Sequence, residues 1–151
     1  MAAAVLHAAG ETRMLALEAA KQFAPDLVPG HRARLNELGS ALTFPSVAPL
    51  LRHTGDAEIF GKAFAGYYGY AIGLAESFQD YALWLKGLTR INDAQWEVVV
   101  RTMDFQKEGL EQLADCLKQV ETVLTEHATQ EVMVLRFGPN WRDVVKQTLQ
   151  R

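Results

Sequence analysis

The sequence predicts an all-α fold, a compact bundle of five to six helices read as one domain over residues 1–151. Three observations carry this reading. No segment alternates polar and apolar residues over more than a few positions, so the period-two signature of a strand is missing. Helix breakers fall in four clusters: Pro25, Pro29 and Gly30; Pro45, Pro49, Gly55 and Asp56; the stretch 87–93; and Gly138-Pro139-Asn140. Between the clusters, apolar residues recur at helical spacing.

Each element follows from local rules. Over residues 2–24, a wheel at about 100° per residue places His7, Glu11, Met14, Glu18, Lys21 and Gln22 on one face. Val5, Leu6, Ala9, Ala16, Leu17, Ala20 and Phe23 share the other face, where Arg13 is the one intruder. Pro25 stops this helix, because proline disfavours the α conformation in the residue before it. Residues 31–42 carry Leu35, Leu38 and Leu42 as a short helix, and Val47–Arg52 allows one further turn. Asp56 is placed to cap a long helix that ends near Lys86. Asn92 with Gln95 three residues on has the spacing of a capping box, and Ile91 with Trp96 that of a hydrophobic staple. Val132-Met133-Val134-Leu135 is rich in strand formers, but it follows a helical pattern and has no partner, so it reads as helix. Gly138-Pro139 ends that run, and Asn140 opens a last helix bearing Trp141, Val144, Val145 and Leu149.

The helix expected over 93–128 is heptad-patterned. With Trp96 at position a, the a row continues through Met103, Leu110, Leu117 and Leu124. The d row is Val99, Gln106, Leu113, Val120 and His127. Every b and f position is polar or charged, the pattern of a coiled-coil or bundle helix. Val98, Val100 and Phe105 widen the apolar face at the N-terminal end, which predicts cover on two sides there. At 1.5 Å per residue the helix would run about 54 Å, while a globule of this size is roughly 30 Å across. Either the helix breaks near Gly109 or its overhang packs on another subunit. The seam residues Met103, Gln106, Leu110, Leu113, Leu117, Val120 and Leu124 are therefore the candidate interface of a homo-oligomer, with a homodimer favoured.

The helix expected over 57–86 is central, glycine-rich and aromatic. From Ala63 to Ala75 it carries no charge, and Gly66, Gly69 and Gly73 share one face. Interior glycines cost about 0.5–1 kcal/mol each relative to alanine, so this face is expected to admit a closely packed helix or a ligand. A helix apolar all round is normally buried all round. Arg13, Phe64, Tyr67, Tyr70 and Trp84 are the candidate residues of a pocket for an apolar small molecule, with Arg13 as a counter-charge for an acidic group. The competing reading is plain core packing, with the tyrosine hydroxyls reaching water.

Composition narrows the classes. With 49% hydrophobic residues the chain is not disordered. A formal net charge of −3 gives no electrostatic case for nucleic acid. Cys116 is the one cysteine, which excludes an internal disulfide and suits a reducing, cytoplasmic location. No signal peptide is expected, and the longest uncharged apolar stretch has 13 residues, against about 20 for a membrane span. Glu108, Glu111 and Asp115 share a face, but their b and f positions read as solvated surface. The four histidines have no mutual ligand spacing, and no nucleophile elbow or phosphate loop occurs. No catalytic residue, cofactor or metal is expected. The favoured function is a non-catalytic helical interaction protein, an oligomeric adaptor or regulator with a possible protein partner, acting through the heptad seam. The alternative is a binding or sensor domain for an apolar small molecule. An amphipathic coat on a lipid or polymer surface, and an enzyme without a cofactor, are weaker readings.

Overall fold

The computed structural model describes residues 2–23, 35–88 and 92–150, and all of its regular elements are helices. They are α1 (Ala2–Gln22), α2 (Leu35–Ala41), α3 (Val47–Arg52), a 3-10 helix (Thr54–Phe60), α4 (Lys62–Gly87), α5 (Asp93–Arg101), α6 (Met103–Phe137) and α7 (Trp141–Leu149). The all-α expectation holds. Pro25, Pro29, Gly30, residues 31–34 of the second expected helix and Ile91 of the staple lie outside the described residues.

The spine of the fold is α6, and its heptad seam explains why. Leu110, Leu113, Leu117, Val120 and Leu124 project one stripe that is almost wholly removed from water. Burying each such side chain stabilises by about 1.5–3 kcal/mol. Two helices cover the stripe. Helix α1 runs antiparallel to α6, since Val5 lies by Leu124 while Leu17 and Lys21 lie by Lys107 and Glu111. Its buried face is Val5, Ala8, Ala9, Ala16, Ala19, Ala20 and Phe23, mostly alanines that let the two helices approach closely. Helix α4 is also antiparallel to α6, pairing Tyr70 with Gln112 and Phe78 with Gly109, and the 3-10 helix before it sets Phe60 against His127.

The short elements bridge α1 and α4. On the buried side of α1, the Thr12 hydroxyl donates to the Ala8 carbonyl at 2.8 Å and lies 2.7 Å from the Ser46 hydroxyl. With its own proton committed, Thr12 accepts from Ser46 and ties α1 to the start of α3. The buried Tyr68 hydroxyl of α4 donates to the Leu50 carbonyl of α3.

Several expected boundaries move. The helix expected over 57–86 starts at Lys62, because Gly61 adopts φ +99° and the preceding turns are 3-10. Asp56 therefore caps nothing there; its carboxylate lies 3.2 Å from His53 Nδ1. The capping box at Asn92 is formed, with Gln95 N donating to Asn92 Oδ1 at 2.8 Å and Asn92 N to Gln95 Oε1 at 3.1 Å. Asn140, in contrast, makes no side-chain cap.

The long helix is divided at Thr102 rather than at Gly109. The Thr102 hydroxyl donates back to the Val98 carbonyl at 2.9 Å, a contact that bends helices. The amide of Thr102 still reaches Val98 and its carbonyl still takes Gln106, so the heptad phase passes through the bend. Gly109 lies inside an unbroken helix because its bare Cα accommodates Phe78: a Cβ there would stand 3.0 Å from Phe78 Cζ. Helix α6 then overshoots 128 and ends where Gly138 takes φ +83°. The overhang also occurs, since beyond His127 no residue of α6 or α7 is buried.

Helix α4 is not buried all round. Phe64, Tyr68, Ala71, Ile72, Ala75 and Phe78 face the core, while Gly66, Tyr67, Gly69, Tyr70 and Gly73 face outward. Among the described residues no helix packs on the glycine stripe, since a Cβ at each of the three would meet nothing within 4 Å.

Candidate functional site

A concavity lies between α4 and the N-terminal part of α6. Tyr70, Leu74, Phe78 and Tyr81 line it from α4, and Phe105, Gln106, Glu108, Gly109 and Gln112 from α6. It is a cleft open on one side, of about 490 Å³, within the range of small-molecule sites. Where α4 and α6 meet, Phe78 seats against Gly109, and both line the cleft. The Tyr70 hydroxyl closes one end by donating to Gln112 Oε1 at 3.2 Å. Phe105 stands at the rim, 72% exposed. Of the three residues expected under a second cover, Val100 is half-buried against the core, while among the described residues nothing covers Val98 and Phe105, which stay exposed.

Tyr81 sets the electrostatics of the inner wall. Its hydroxyl is buried and, among the described residues, is the one buried side-chain polar atom without a hydrogen-bond partner. Burial pushes its pKa up, and the nearby Thr102 hydroxyl, outside hydrogen-bond geometry, partly offsets this. The Tyr81 ring stacks on Trp84, centroids 5.5 Å apart. Among the described residues no lysine or arginine lines the cleft, while Glu108 brings a carboxylate to it.

The candidate ligand residues are not brought together. Tyr70 lines the cleft. Tyr67 lies on the outer face of α4, sharing with Tyr70 and Cys116 a shallower groove. Trp84 backs Tyr81 without lining the cleft. Phe64 is core, its ring tilted against those of Phe60 and Tyr68 beside a void of about 10 Å³, too small for a ligand. Arg13 is on the far side of α6, where its guanidinium pairs with Glu121. Its charge is answered within the chain, which removes it as a counter-charge for a ligand in this cleft. Gly10 makes room for that pair, since a Cβ there would lie 3.1 Å from Glu121 Oε1.

The seam residues proposed as an interface are also placed elsewhere. Met103, Leu110, Leu113, Leu117, Val120 and Leu124 are buried inside the one chain under α1 and α4. Gln106 is half-buried and lines the cleft. A heptad pattern specifies that a stripe is covered, not by which chain. His127 is packed edge-on against Phe60 at 4.7 Å. Glu108, Glu111 and Asp115 are exposed, and no group of three or more metal-ligating side chains clusters among the described residues. Burial and Asp115 raise the Cys116 pKa, keeping the thiol protonated at neutral pH.

Sequence reasoning missed Phe105, Tyr81 and Gln112 as site residues. Phe105 carried the one usable signal, an aromatic at a c position outside the seam. Among the described residues no helix is long and apolar enough to cross a membrane. No family model, no curated protein and no solved structure matches the chain.

Proposed function

We propose that this protein is a non-catalytic helical interaction protein that associates with a second copy of itself through its C-terminal arm, α6 beyond His127 together with α7. The carrying observation is that α7 buries no residue of its own. An isolated helix shorter than about 12–15 residues is marginal in water, so a nine-residue helix needs a surface to pack on. The arm presents apolar side chains for such packing: Val132, Val134, Leu135, Phe137, Val144 and Leu149 are all exposed, Leu135 at 88% and Leu149 at 83%. On α6 these side chains fall on two faces, Val132 with Leu135 and Val134 with Phe137, so the arm offers apolar surface on both sides for a partner to cover. Charge favours a second copy as partner. The arm carries Arg136, Arg142 and Lys146 against Glu131 and Asp143, whereas residues 93–127 hold eight acids and three bases. This reading moves the contact from the buried seam to its overhang.

The test is the mass in solution. Light scattering at micromolar concentration is expected to give twice the 16.8 kDa of one chain. Leu135→Glu with Leu149→Glu should return the monomer mass without loss of helical circular dichroism. A wild-type chain that runs as a monomer refutes the proposal.

A second reading, a binding domain for an apolar-bodied small molecule, is supported by the α4–α6 cleft. The ligand would sit against Tyr70, Tyr81 and Phe105, not against Phe64 and Arg13.

A further inference from the structure

We propose that the α4–α6 cleft takes a small organic cation, an ammonium group carried on an aromatic or apolar body. This rests on the second reading above, that the cleft is a ligand site, and adds the chemical class of the ligand. The volume, about 490 Å³, sets the size. The class follows from what lines the space. Tyr70, Phe78, Tyr81 and Phe105 supply four aromatic rings, whose negative faces attract cations and whose bulk buries an apolar body. Glu108 is the single charged residue of the lining, and it makes no ion pair among the described residues. An anionic ligand would meet this carboxylate with no base to answer it. A neutral apolar ligand would leave it unused at the rim.

The inner wall is aromatic: Tyr81 lines the cleft, while its hydroxyl is buried away from that open space. Phe105 at the rim has no neighbour that explains its exposure, and a ligand seated in the cleft would cover it. The two features, four rings and an unanswered carboxylate, stand independently and converge on one space. One wall is set by a core contact, the buried Phe78 against Gly109, and Tyr81 is braced by its stacking on Trp84.

The experiment titrates the full-length chain with benzyltrimethylammonium and with phenethylamine, using benzyl alcohol and benzoate as neutral and anionic comparators. Amide NMR shifts of Phe105, Gly109 and Tyr81 report occupancy. Both cations should give saturable shifts there, with affinity about tenfold or more above that of benzyl alcohol, and benzoate should give none. Glu108→Gln should weaken the cations about three- to tenfold and leave benzyl alcohol unchanged. Ser77→Phe, an exposed position at the cleft, should abolish all binding while helical circular dichroism is retained. If benzyl alcohol binds in the cleft as tightly as the cations, or Glu108→Gln leaves their ratio unchanged, the ligand class is wrong and the ligand site stands. If no probe gives saturable shifts, both fail. If the same resonances move on dilution without any probe, a second copy occupies the cleft and the small-molecule proposal is overturned.

Discussion

Replacing Gly66, Gly69 and Gly73 together by alanine should raise the stability of the isolated chain. All three lie inside α4 on its outward face, and a Cβ at each meets nothing within 4 Å. The substitution therefore adds no clash and removes the backbone freedom that glycine gives the unfolded chain. At about 0.5–1 kcal/mol each, the triple variant should gain roughly 1.5–3 kcal/mol. For a chain of this size that corresponds to a rise in Tm of about 3–12 °C. Gly109→Ala is the internal control. It has the same propensity gain, but its Cβ would stand 3.0 Å from Cζ of the buried Phe78, so the ring must shift and the gain should vanish or reverse. Urea denaturation followed by circular dichroism, at a concentration where the protein is monomeric, measures both. The reasoning is refuted if the triple variant is less stable than wild type, because the outer face of α4 would then be packed. It is equally refuted if Gly109→Ala gains as much per residue as the stripe.

Other outcomes follow from the same packing. Leu117→Ala, at a fully buried seam position, should cost about 2–5 kcal/mol. Leu135→Ala on the overhang should leave the unfolding free energy of the monomer within about 0.5 kcal/mol; equal effects by urea titration would show the seam to be misassigned. Tyr68, buried and facing the charge of Asp56, has its pKa pushed up to about 12. Below the ordinary tyrosine value of about 10 both folded and unfolded states hold the proton and stability is level. Between about 10 and 12 only the folded chain keeps it, so stability should fall by roughly 1.4 kcal/mol per pH unit. Tyr68→Phe should remove that part of the slope in alkaline denaturation; an unchanged slope would contradict the assignment. A double-mutant cycle on Arg13 and Glu121 should give a coupling of about 0.5–1.5 kcal/mol that shrinks in salt, because the pair is partly exposed. Zero coupling at low salt would show that Arg13 is not neutralised there.

The helical class, the heptad phase and the capping box at Asn92 were legible in the residues, because each depends on spacing within one segment. Even the bend at Thr102 leaves the seam register intact, since the hydrogen-bond ladder continues through it. The candidate site was much less legible. Phe64 and Tyr67 are three residues apart, yet one is core and one is surface, and only the position of α6 decides which. Arg13 looked available until Glu121, 108 residues away, was placed beside it. The cleft itself is lined from two helices distant in the chain, and no local pattern records a space between them.

The sequence by itself determined that this chain is helical, where most of its helices lie, and which stripe of the long helix leaves water. Periodicity and capping are properties of neighbours in the chain, so one sequence suffices for them. The tertiary structure alone decided that the seam is covered by α1 and α4 of the same chain, that the glycine face of α4 looks outward, and that the last turns of α6 and all of α7 bury nothing. Those outcomes depend on which helix reaches which face first. Apolar burial is non-directional, so a stripe that must be covered does not name its cover.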